Sequence, residues 1–277
     1  MPVPFTIILA AASTAALLAI AYLLLLKPNR RREGIMKPFE DSYIAHRGFF
    51  DNDKIPENSL PAFEKAVEFG YGIELDVQLT RDGKLVVFHD ESLKRMTGLK
   101  KKLTDLNFKD LKELTLLDSD ISIPLLDDVL KTVDGKVPLI IEIKAHGPFI
   151  KTSEALAQRL DSYSGPFCIE SFNPAVVRWF WKNRPEWARG ILASNYLKAP
   201  KKTLGQKILV TNLMFNFYCK PDFVAYNHLF KESFSLKLCK KFFSCHMAAW
   251  TIRSQEELDK ASEFFSVFIF EGFRPRG

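Results

Sequence analysis

The chain has 277 residues, 47% of them hydrophobic, which excludes a mainly disordered protein and allows one large domain or two small ones. Its formal charge of +6 is spread over several separate lysine and arginine clusters, so we predict no nucleic-acid partner, and no obligate protein partner is evident. Four cysteines without CxxC spacing argue against a zinc site or a redox motif and favour free thiols in a reducing compartment.

The first predicted element is a membrane span, because no charged residue occurs between Phe5 and Leu26. A helix of that length reaches roughly 33 Å, enough to cross the hydrocarbon core of a bilayer once. A cleaved signal peptide would carry basic residues before its apolar run, and none occurs there. The basic cluster of Lys27 and residues 30–32 follows the span instead, so the positive-inside rule predicts a cytoplasmic C-terminal domain.

This pattern divides the chain into three predicted regions. Residues 1–27 form an N-terminal transmembrane anchor. Residues 28–40, which contain two prolines and a glycine, form a juxtamembrane basic tether that keeps the globular domain close to the inner leaflet. Residues 41–277 form that domain.

The domain opens with a predicted strand, Ser42 to His46, and a helix for which Asn58 is the expected N-cap. The next strand, Ile73 to Leu79, alternates apolar and polar residues, and two of its polar residues are the acids Glu74 and Asp76. Acidic side chains on an inward face need a positive partner or a metal ion.

The dipeptide Asp82-Gly83 predicts a tight two-residue hairpin after this strand. With Arg81 facing Lys84, Asp76 would lie opposite His89, and both side chains would share one face. A slip of one residue would turn His89 away.

A further strand, Pro138 to Lys144, places Glu142 and Lys144 on one face. Later strands are predicted near residues 167–170, 189–193, 223–226, 247–251 and 267–270, and helical patterns separate most of them. Without the return strand of the hairpin, eight parallel strands alternate with helices. We therefore predict an α/β fold, a (β/α)8 TIM barrel with its active site at the carboxyl ends of the strands.

Three carboxylates, Glu74, Asp76 and Glu142, fall at or near such ends and form a hard oxygen-ligand set suited to one divalent cation, Mg²⁺ or Ca²⁺. Each motif alone has a simpler interpretation, such as a solvated strand face or a local ion pair. Their joint occurrence at one mouth of the barrel favours a functional site.

Two histidines and two cations complete this set of candidate residues. His46 and His89 can exchange protons near neutral pH and can serve as general acid and base. Arg47 and Lys144 supply positive charge for an anionic substrate. A phosphodiester fits, because arginine binds it bidentately while a metal polarises another oxygen.

The chain resembles the bacterial-type glycerophosphodiester phosphodiesterases over most of its length after residue 40. The motifs that carry the resemblance are Ile44-Ala45-His46-Arg47-Gly48, Pro56-Glu57-Asn58-Ser59, Glu74-Leu75-Asp76-Val77, Asp82-Gly83, Val87-Phe88-His89-Asp90, Ile123-Pro124-Leu125, Glu142-Ile143-Lys144, Ser171-Phe172 and Trp250-Thr251. The resemblance implies a distorted barrel of the phospholipase C-like phosphodiesterase type that hydrolyses glycerophosphodiesters to sn-glycerol 3-phosphate and an alcohol.

By position, the resemblance also implies roles for individual residues. His46 and His89 would be the acid/base pair. Glu74, Asp76 and Glu142 would be the metal ligands, Arg47 and Lys144 would hold phosphate, and Trp250 would line the glycerol pocket.

The chain departs from the family pattern in two places. Glu271 stands where many members have a Thr-Asp pair, so it either replaces that acid or the role of the acid is lost. The segment after Asp90 is too short for an inserted cap, which predicts an open mouth bordered by Phe215, Phe217 and Tyr218. We interpret these aromatic residues as packing rather than as a lipid-contacting rim.

The leading hypothesis is a single-pass, membrane-anchored glycerophosphodiester phosphodiesterase. A lysophospholipase D that uses the same residues on lysophospholipids is the nearest alternative. A membrane-tethered module that binds phosphodiesters without turnover is an alternative of another class.

Overall fold

The computed structural model describes residues 5–197 and 203–276. Residues 1–4 of the predicted anchor lie outside the described residues, as do residues 198–202 and 277 of the predicted barrel domain.

The described residues contain nine strands and a set of mostly short helices. The strands are β1 (Tyr43–His46), β2 (Gly72–Leu79), β3 (Leu85–Val87), β4 (Leu139–Ile143), β5 (Phe167–Ser171), β6 (Ala188–Ala193), β7 (Phe223–Asn227), β8 (His246–Ile252) and β9 (Val267–Phe270). The helices are α1 (Phe5–Leu26), α2 (Lys37–Glu40), α3 (Leu60–Glu68), α4 (Lys94–Thr97), α5 (Phe108–Lys112), α6 (Leu126–Val133), α7 (Phe149–Leu160), α8 (Pro174–Asn183), α9 (Leu204–Thr211), α10 (Asn216–Cys219), α11 (Phe234–Phe243) and α12 (Gln255–Ser262).

Eight of the strands close into a parallel barrel in the order β1-β2-β4-β5-β6-β7-β8-β9, and β9 pairs with β1. The ninth strand, β3, pairs antiparallel with β2 outside this ring. The predicted (β/α)8 barrel is confirmed. Because all eight strands run in one direction, the residues at their carboxyl ends meet at one mouth.

The alternating pattern of β2 sorts its side chains between the two sides of the barrel wall. Ile73, Leu75 and Val77 pack in the apolar layer between the strands and the surrounding helices. The intervening Glu74 and Asp76 point the other way, toward the cavity at the mouth.

The predicted register of the β2–β3 hairpin is wrong by one residue. Val77 pairs with Val87 rather than with Phe88, because the turn contains the three residues 81–83 rather than two. Regular pairing ends at Val87, so the position of His89 does not follow from strand alternation. Its ring still lines the cavity at the mouth.

The N-cap of α3 also differs from the prediction. Ser59, not Asn58, caps the helix, and its hydroxyl accepts a hydrogen bond from the backbone N–H of Ala62 at 3.4 Å. Asn58 has a positive φ of 54° and donates from its side-chain amide to Asp76 at 2.7 Å. The motif residue therefore supports an acidic group of the mouth instead of a helix end.

The predicted tether, residues 28–40, packs closely on the barrel at the N-terminal ends of the strands. Met36 and Phe39 are fully buried against inward-facing apolar residues near the starts of several strands. The Arg32 guanidinium binds the carboxylate of Asp222, just before β7, at 2.6 Å and donates to three backbone carbonyls of residues 185–187. Hydrophobic burial and paired charge thus hold this segment to the barrel.

Candidate active site

A cavity of about 230 Å³ lies at the carboxyl ends of the strands. Its polar and aromatic lining consists of His46, Arg47, Glu74, His89, Glu142, Lys144, Glu170, Phe172, Trp250, Thr251 and Arg253. Seven of the eight predicted site residues line it, and the eighth, Asp76, lies within 2.8 Å of the Lys144 ammonium group.

The sharp turn after β1 directs Arg47 into this cavity. Arg47 and Gly48 both have positive φ values, of 57° and 83°. A Cβ on Gly48 would lie 2.9 Å from the backbone of Ala62, so only glycine fits there. The turn lets the backbone N–H of Arg47 donate to Glu74 at 3.0 Å.

Glu74, Asp76 and Glu142 form a compact acidic cluster. One carboxylate oxygen from each lies within 4.8 Å of the others, and all three side chains are buried. Burial and the neighbouring carboxylates raise the pKa of Glu74, and burial raises the pKa of Glu142 to about 7. Burial opposes ionisation of Asp76 too, but Lys144, His89 and Arg47 keep its pKa well below its usual range.

A fourth buried carboxylate, Glu170, extends this cluster. It lies at the end of β5 beside Glu142, and one of its oxygens has no hydrogen-bond partner among the described residues. Burial and the charge of Glu142 raise its pKa well above the ordinary value. An excess of buried negative charge remains, and a divalent cation would neutralise it, so the donor set fits Mg²⁺ or Ca²⁺.

Lys144 and Arg47 are the cations that contact this acidic cluster. The Lys144 ammonium group lies 2.8 Å from both Asp76 and Glu142. The Arg47 side chain lies 3.4 Å from Asp76 and donates to Glu57 at 2.7 Å, and its Nε has no hydrogen-bond partner among the described residues. An anionic group in the cavity would meet both cations.

Each of the two histidines that line the cavity has a carboxylate partner at its Nδ1. Nδ1 of His46 lies 2.5 Å from Glu271, and Nδ1 of His89 lies 2.6 Å from Asp90. A carboxylate at Nδ1 favours the tautomer with the proton on that atom, which leaves Nε2 available to the cavity. Burial lowers the pKa of both rings.

A chain of ion pairs connects the His89 side of the cavity to Arg47. Asp90 accepts from Arg95 at 2.7 Å, and Arg95 also donates to Glu57 at 2.7 Å. Glu57 in turn binds Arg47. The cavity is thus framed by charged side chains that hold one another in place.

Trp250 lines the cavity at the end of β8, and its ring packs edge-on against Phe172 at 5.5 Å. Its indole Nε1 is buried with no hydrogen-bond partner among the described residues. A buried donor of this kind can bind a substrate hydroxyl.

A second, larger space of about 580 Å³ adjoins the first and shares His89, Glu142, Lys144 and Phe172 with it. The rest of its lining is mainly apolar surface, with Pro174, Val210 and Phe215 beside the polar residues His146, Asn173 and Gln206. Phe217 and Tyr218, also predicted to border the mouth, lie instead on α10, near the flank of α8. We refer to this second space as the apolar groove.

The sequence predicted no part in the site for several residues that the structure brings there. They are Glu57, Asn58, Asp90, Arg95 and Glu170. Glu170 carries the same signal as Glu142, an acid at the end of an apolar strand, and could have been found that way. Arg95 has no local signal, because its partners are brought to it only by the fold.

The family model of the glycerophosphoryl diester phosphodiesterase family matches residues 46–261. The chain is 33% identical over 169 residues to the glycerophosphodiester phosphodiesterase of Bacillus altitudinis, which covers 57% of this chain and 68% of that protein. It is also 33% identical over 156 residues to lysophospholipase D GDPD1 of Homo sapiens, covering 51% of this chain and 49% of the human protein.

Among solved structures, the chain resembles an Oleispira antarctica phosphodiesterase in complex with sn-glycerol-3-phosphate, with a TM-score of 0.67 and 22% identity. The likeness covers 83% of this chain and 92% of that one, and it shows a shared fold. Because the family model covers most of the barrel and every predicted site residue, this chain belongs to the glycerophosphoryl diester phosphodiesterase family.

Proposed function

We propose that this protein hydrolyses glycerophosphodiesters to sn-glycerol 3-phosphate and an alcohol in a reaction that depends on a divalent cation. One observation carries the proposal: three clustered carboxylates and two histidines, each with Nδ1 on an acid, face one cavity. Glu74, Asp76 and Glu142 would hold the Mg²⁺ or Ca²⁺ ion. When bound, the cation would polarise a phosphate oxygen.

The protein's own residues account for the remaining chemistry. Arg47 and Lys144 neutralise the phosphodiester, and Trp250 offers its indole N–H to a glycerol hydroxyl. One histidine takes the proton of the attacking hydroxyl, which comes from water or from the substrate's glycerol, while a new P–O bond forms. Attack by water gives sn-glycerol 3-phosphate directly; attack by the glycerol hydroxyl gives a cyclic phosphodiester, which water then opens to sn-glycerol 3-phosphate with the two histidines in exchanged roles. The other histidine donates a proton to the alkoxide that leaves as the old P–O bond breaks.

The test is release of sn-glycerol 3-phosphate from water-soluble diesters by the full chain, with and without EDTA. We expect chelation to abolish turnover, Mg²⁺ or Ca²⁺ to restore it, and His46→Ala to reduce it by at least about 100-fold. His228→Gln, which alters a buried histidine outside the cavity, is the matched control. Undiminished activity in EDTA or in His46→Ala would refute the mechanism, and phosphate binding without turnover under saturating cation would support the binding module instead.

A second candidate function, lysophospholipase D, is favoured by the apolar groove. The groove leads away from the catalytic histidines and has room for a single acyl chain. The similarity to a human lysophospholipase D agrees with this reading. Comparing the release of lysophosphatidic acid from lysolipids with that of glycerol 3-phosphate from soluble diesters separates the two activities.

We further propose a membrane anchor in residues 1–27, a basic segment in 28–40 and a catalytic barrel in 41–277 that faces the cytoplasm. Among the described residues, Thr6–Leu26 is long and apolar enough to cross a membrane. Basic residues after this helix and four buried free thiols support the cytoplasmic side.

A further inference from the structure

Successive residues at the end of α1 and just after it contact the barrel at successive heights. The first contact lies near the mouth and the last lies near the amino ends of the strands, which we call the bottom of the barrel. Tyr22 stacks on Phe234, the first residue of α11, and its hydroxyl lies 3.5 Å from Asn212. Leu26 accepts a hydrogen bond from Asn216 at 3.1 Å. These contacts hold the end of α1 against the wall of the barrel.

The order continues below Leu26. The backbone N–H of Asn29 donates to Pro221 at 2.9 Å, and its side chain donates to Asp222, just before the start of β7, at 2.7 Å. Phe234 follows the carboxyl end of β7, whereas Asp222 precedes its amino end. The chain from Asn29 back to Tyr22 therefore runs from the bottom of the barrel toward its mouth, and α1 continues in that direction.

The free part of α1 must then project beyond the mouth rather than beyond the bottom. Its 17 residues from Phe5 to Ala21 span about 25 Å, and residues 6–21 are exposed along their whole length. No charged residue separates the apolar run from Tyr22, where docking begins. With no polar spacer, a membrane crossed by this helix lies directly over the mouth.

The barrel segments near the exit of α1 carry several exposed apolar side chains. Of the large hydrophobic side chains exposed on the segments after β6 and β7, five lie on α9 or between residues 229 and 234, and these are between 38 and 70% exposed. They are Leu204, Ile208, Leu229, Phe230 and Phe234, and we call them the apolar rim. Isolated exposed hydrophobic residues are ordinary, but a cluster beside a membrane helix marks a surface for lipid.

The opposite end of the barrel has a different character. There the described segments carry Arg31, Arg32, Lys240 and Lys241, and Phe242 is exposed beside these cations. Phe217 and Tyr218 of α10, shortly before β7, are also exposed. A bilayer at that end would contact charged side chains and polar backbone groups, whereas a bilayer at the mouth would contact apolar side chains.

We propose that α1 holds the barrel with its catalytic mouth against the bilayer, so that the apolar rim lies in the membrane interface and substrate enters from the lipid phase. The apolar groove continues from the catalytic cavity to α9, which carries Leu204 and Ile208 of the rim. A lipid with one acyl chain can thus pass its headgroup to the histidines while the chain stays in apolar surroundings. The identity of that substrate rests on the proposed activity, whereas the orientation of the barrel rests only on the proposed membrane anchor.

The orientation is tested with the full chain in phosphatidylcholine vesicles that contain lipids with nitroxide quenchers. A fluorophore is attached at Leu229→Cys in the rim or, as matched control, at Phe242→Cys at the bottom; the native cysteines are buried. We expect strong quenching at the first position and little at the second. Equal quenching at both, or stronger quenching at residue 242, would overturn the proposal whether or not the protein shows turnover.

A second experiment measures turnover after exposed apolar residues are replaced by aspartate at the same two ends of the barrel. Leu204→Asp combined with Leu229→Asp should lower turnover of lysolipid in vesicles by about tenfold and leave turnover of a soluble glycerophosphodiester unchanged, and Phe242→Asp should change neither. Equal vesicle turnover in all three proteins would count against the proposal. Absence of turnover on both substrates in the wild-type chain would refute the proposed function and leave the quenching result to decide the orientation.

Discussion

At the scale of single residues, the two histidines are positioned by the same kind of contact, although they come from different parts of the chain. Each Nδ1 faces a carboxylate, Glu271 or Asp90, and these acids have pKa values lowered to about 2, mainly because their hydrogen bonds and charges outweigh burial. Glu271 therefore supplies the carboxylate that contacts the His46 ring. A carboxylate at this position orients the ring and stabilises its protonated form.

Glu271 is accordingly expected to act as a positioning residue. Glu271→Gln should lower kcat by about tenfold or more with little effect on KM, since the ring loses a charged partner but the substrate contacts stay. The limb of the pH–rate profile that belongs to His46 should move to lower pH, because Glu271 raises the pKa of that ring. Rate and pH profiles would measure both effects, with Glu271→Asp as partial rescue and exposed Glu256→Gln as control. An unchanged profile would show that Glu271 is only structural.

The buried carboxylates at the mouth predict how the free energy of unfolding depends on pH when no metal is bound. Burial raises the pKa of Glu170 above its unfolded value, so the folded chain binds this proton more tightly than the unfolded chain does. The contribution of Glu170 to the free energy of unfolding is thus fully present below about pH 4, and it is lost as the pH rises through the pKa that Glu170 has in the folded chain.

Glu170→Gln should therefore raise the melting temperature of the EDTA-treated protein relative to wild type by more at pH 8 than at pH 5, with a difference of about 3 °C or more. Comparison at each pH cancels the titration of the histidines. Thermal unfolding in detergent provides the measurement, and Glu256→Gln should show no such dependence. A difference that is the same at both pH values would mean that Glu170 ionises freely in the fold.

At the scale of elements, Asp222 joins the basic segment to the barrel. Its carboxylate accepts from Asn29 and Arg32 and from the backbone N–H of Arg189. Removal of a buried ionic partner is costly, because the remaining charges lose compensation without regaining full hydration.

We expect Asp222→Ala to lower the free energy of unfolding by about 3 kcal/mol. Glu33→Ala is the control, because the exposed pair of Arg31 and Glu33 is expected to contribute little. Both would be measured by denaturant unfolding in the same detergent. An equal, small effect of the two substitutions would indicate that the basic segment is a loosely attached tether after all.

At the scale of the whole molecule, the side of the membrane on which the barrel lies can be measured at its bottom surface. Phe242→Cys should react with a membrane-impermeant maleimide only after cells are permeabilised, because the basic cluster after α1 predicts a cytoplasmic barrel. The wild-type chain, whose cysteines are buried, provides the background. Labelling in intact cells would place the barrel outside the cytoplasm.

The sequence by itself determined the barrel and nearly all of the candidate site, because apolar runs ending in His46, Asp76 or Glu142 specify both the strands and the residues at their carboxyl ends. Local patterns failed where the outcome depended on geometry across the chain. The β2–β3 register changed with one extra turn residue, and Asn58 bonded to Asp76 instead of capping a helix.

Only the tertiary structure decided how the anchor meets the barrel. The sequence shows a charge-free helix and a basic cluster, but their direction relative to the catalytic mouth depends on contacts with residues almost 200 positions away, such as Tyr22 with Asn212 and Asn29 with Asp222. Hydrophobicity sets which segment enters the membrane, whereas packing and paired polar groups set which face of the barrel follows it.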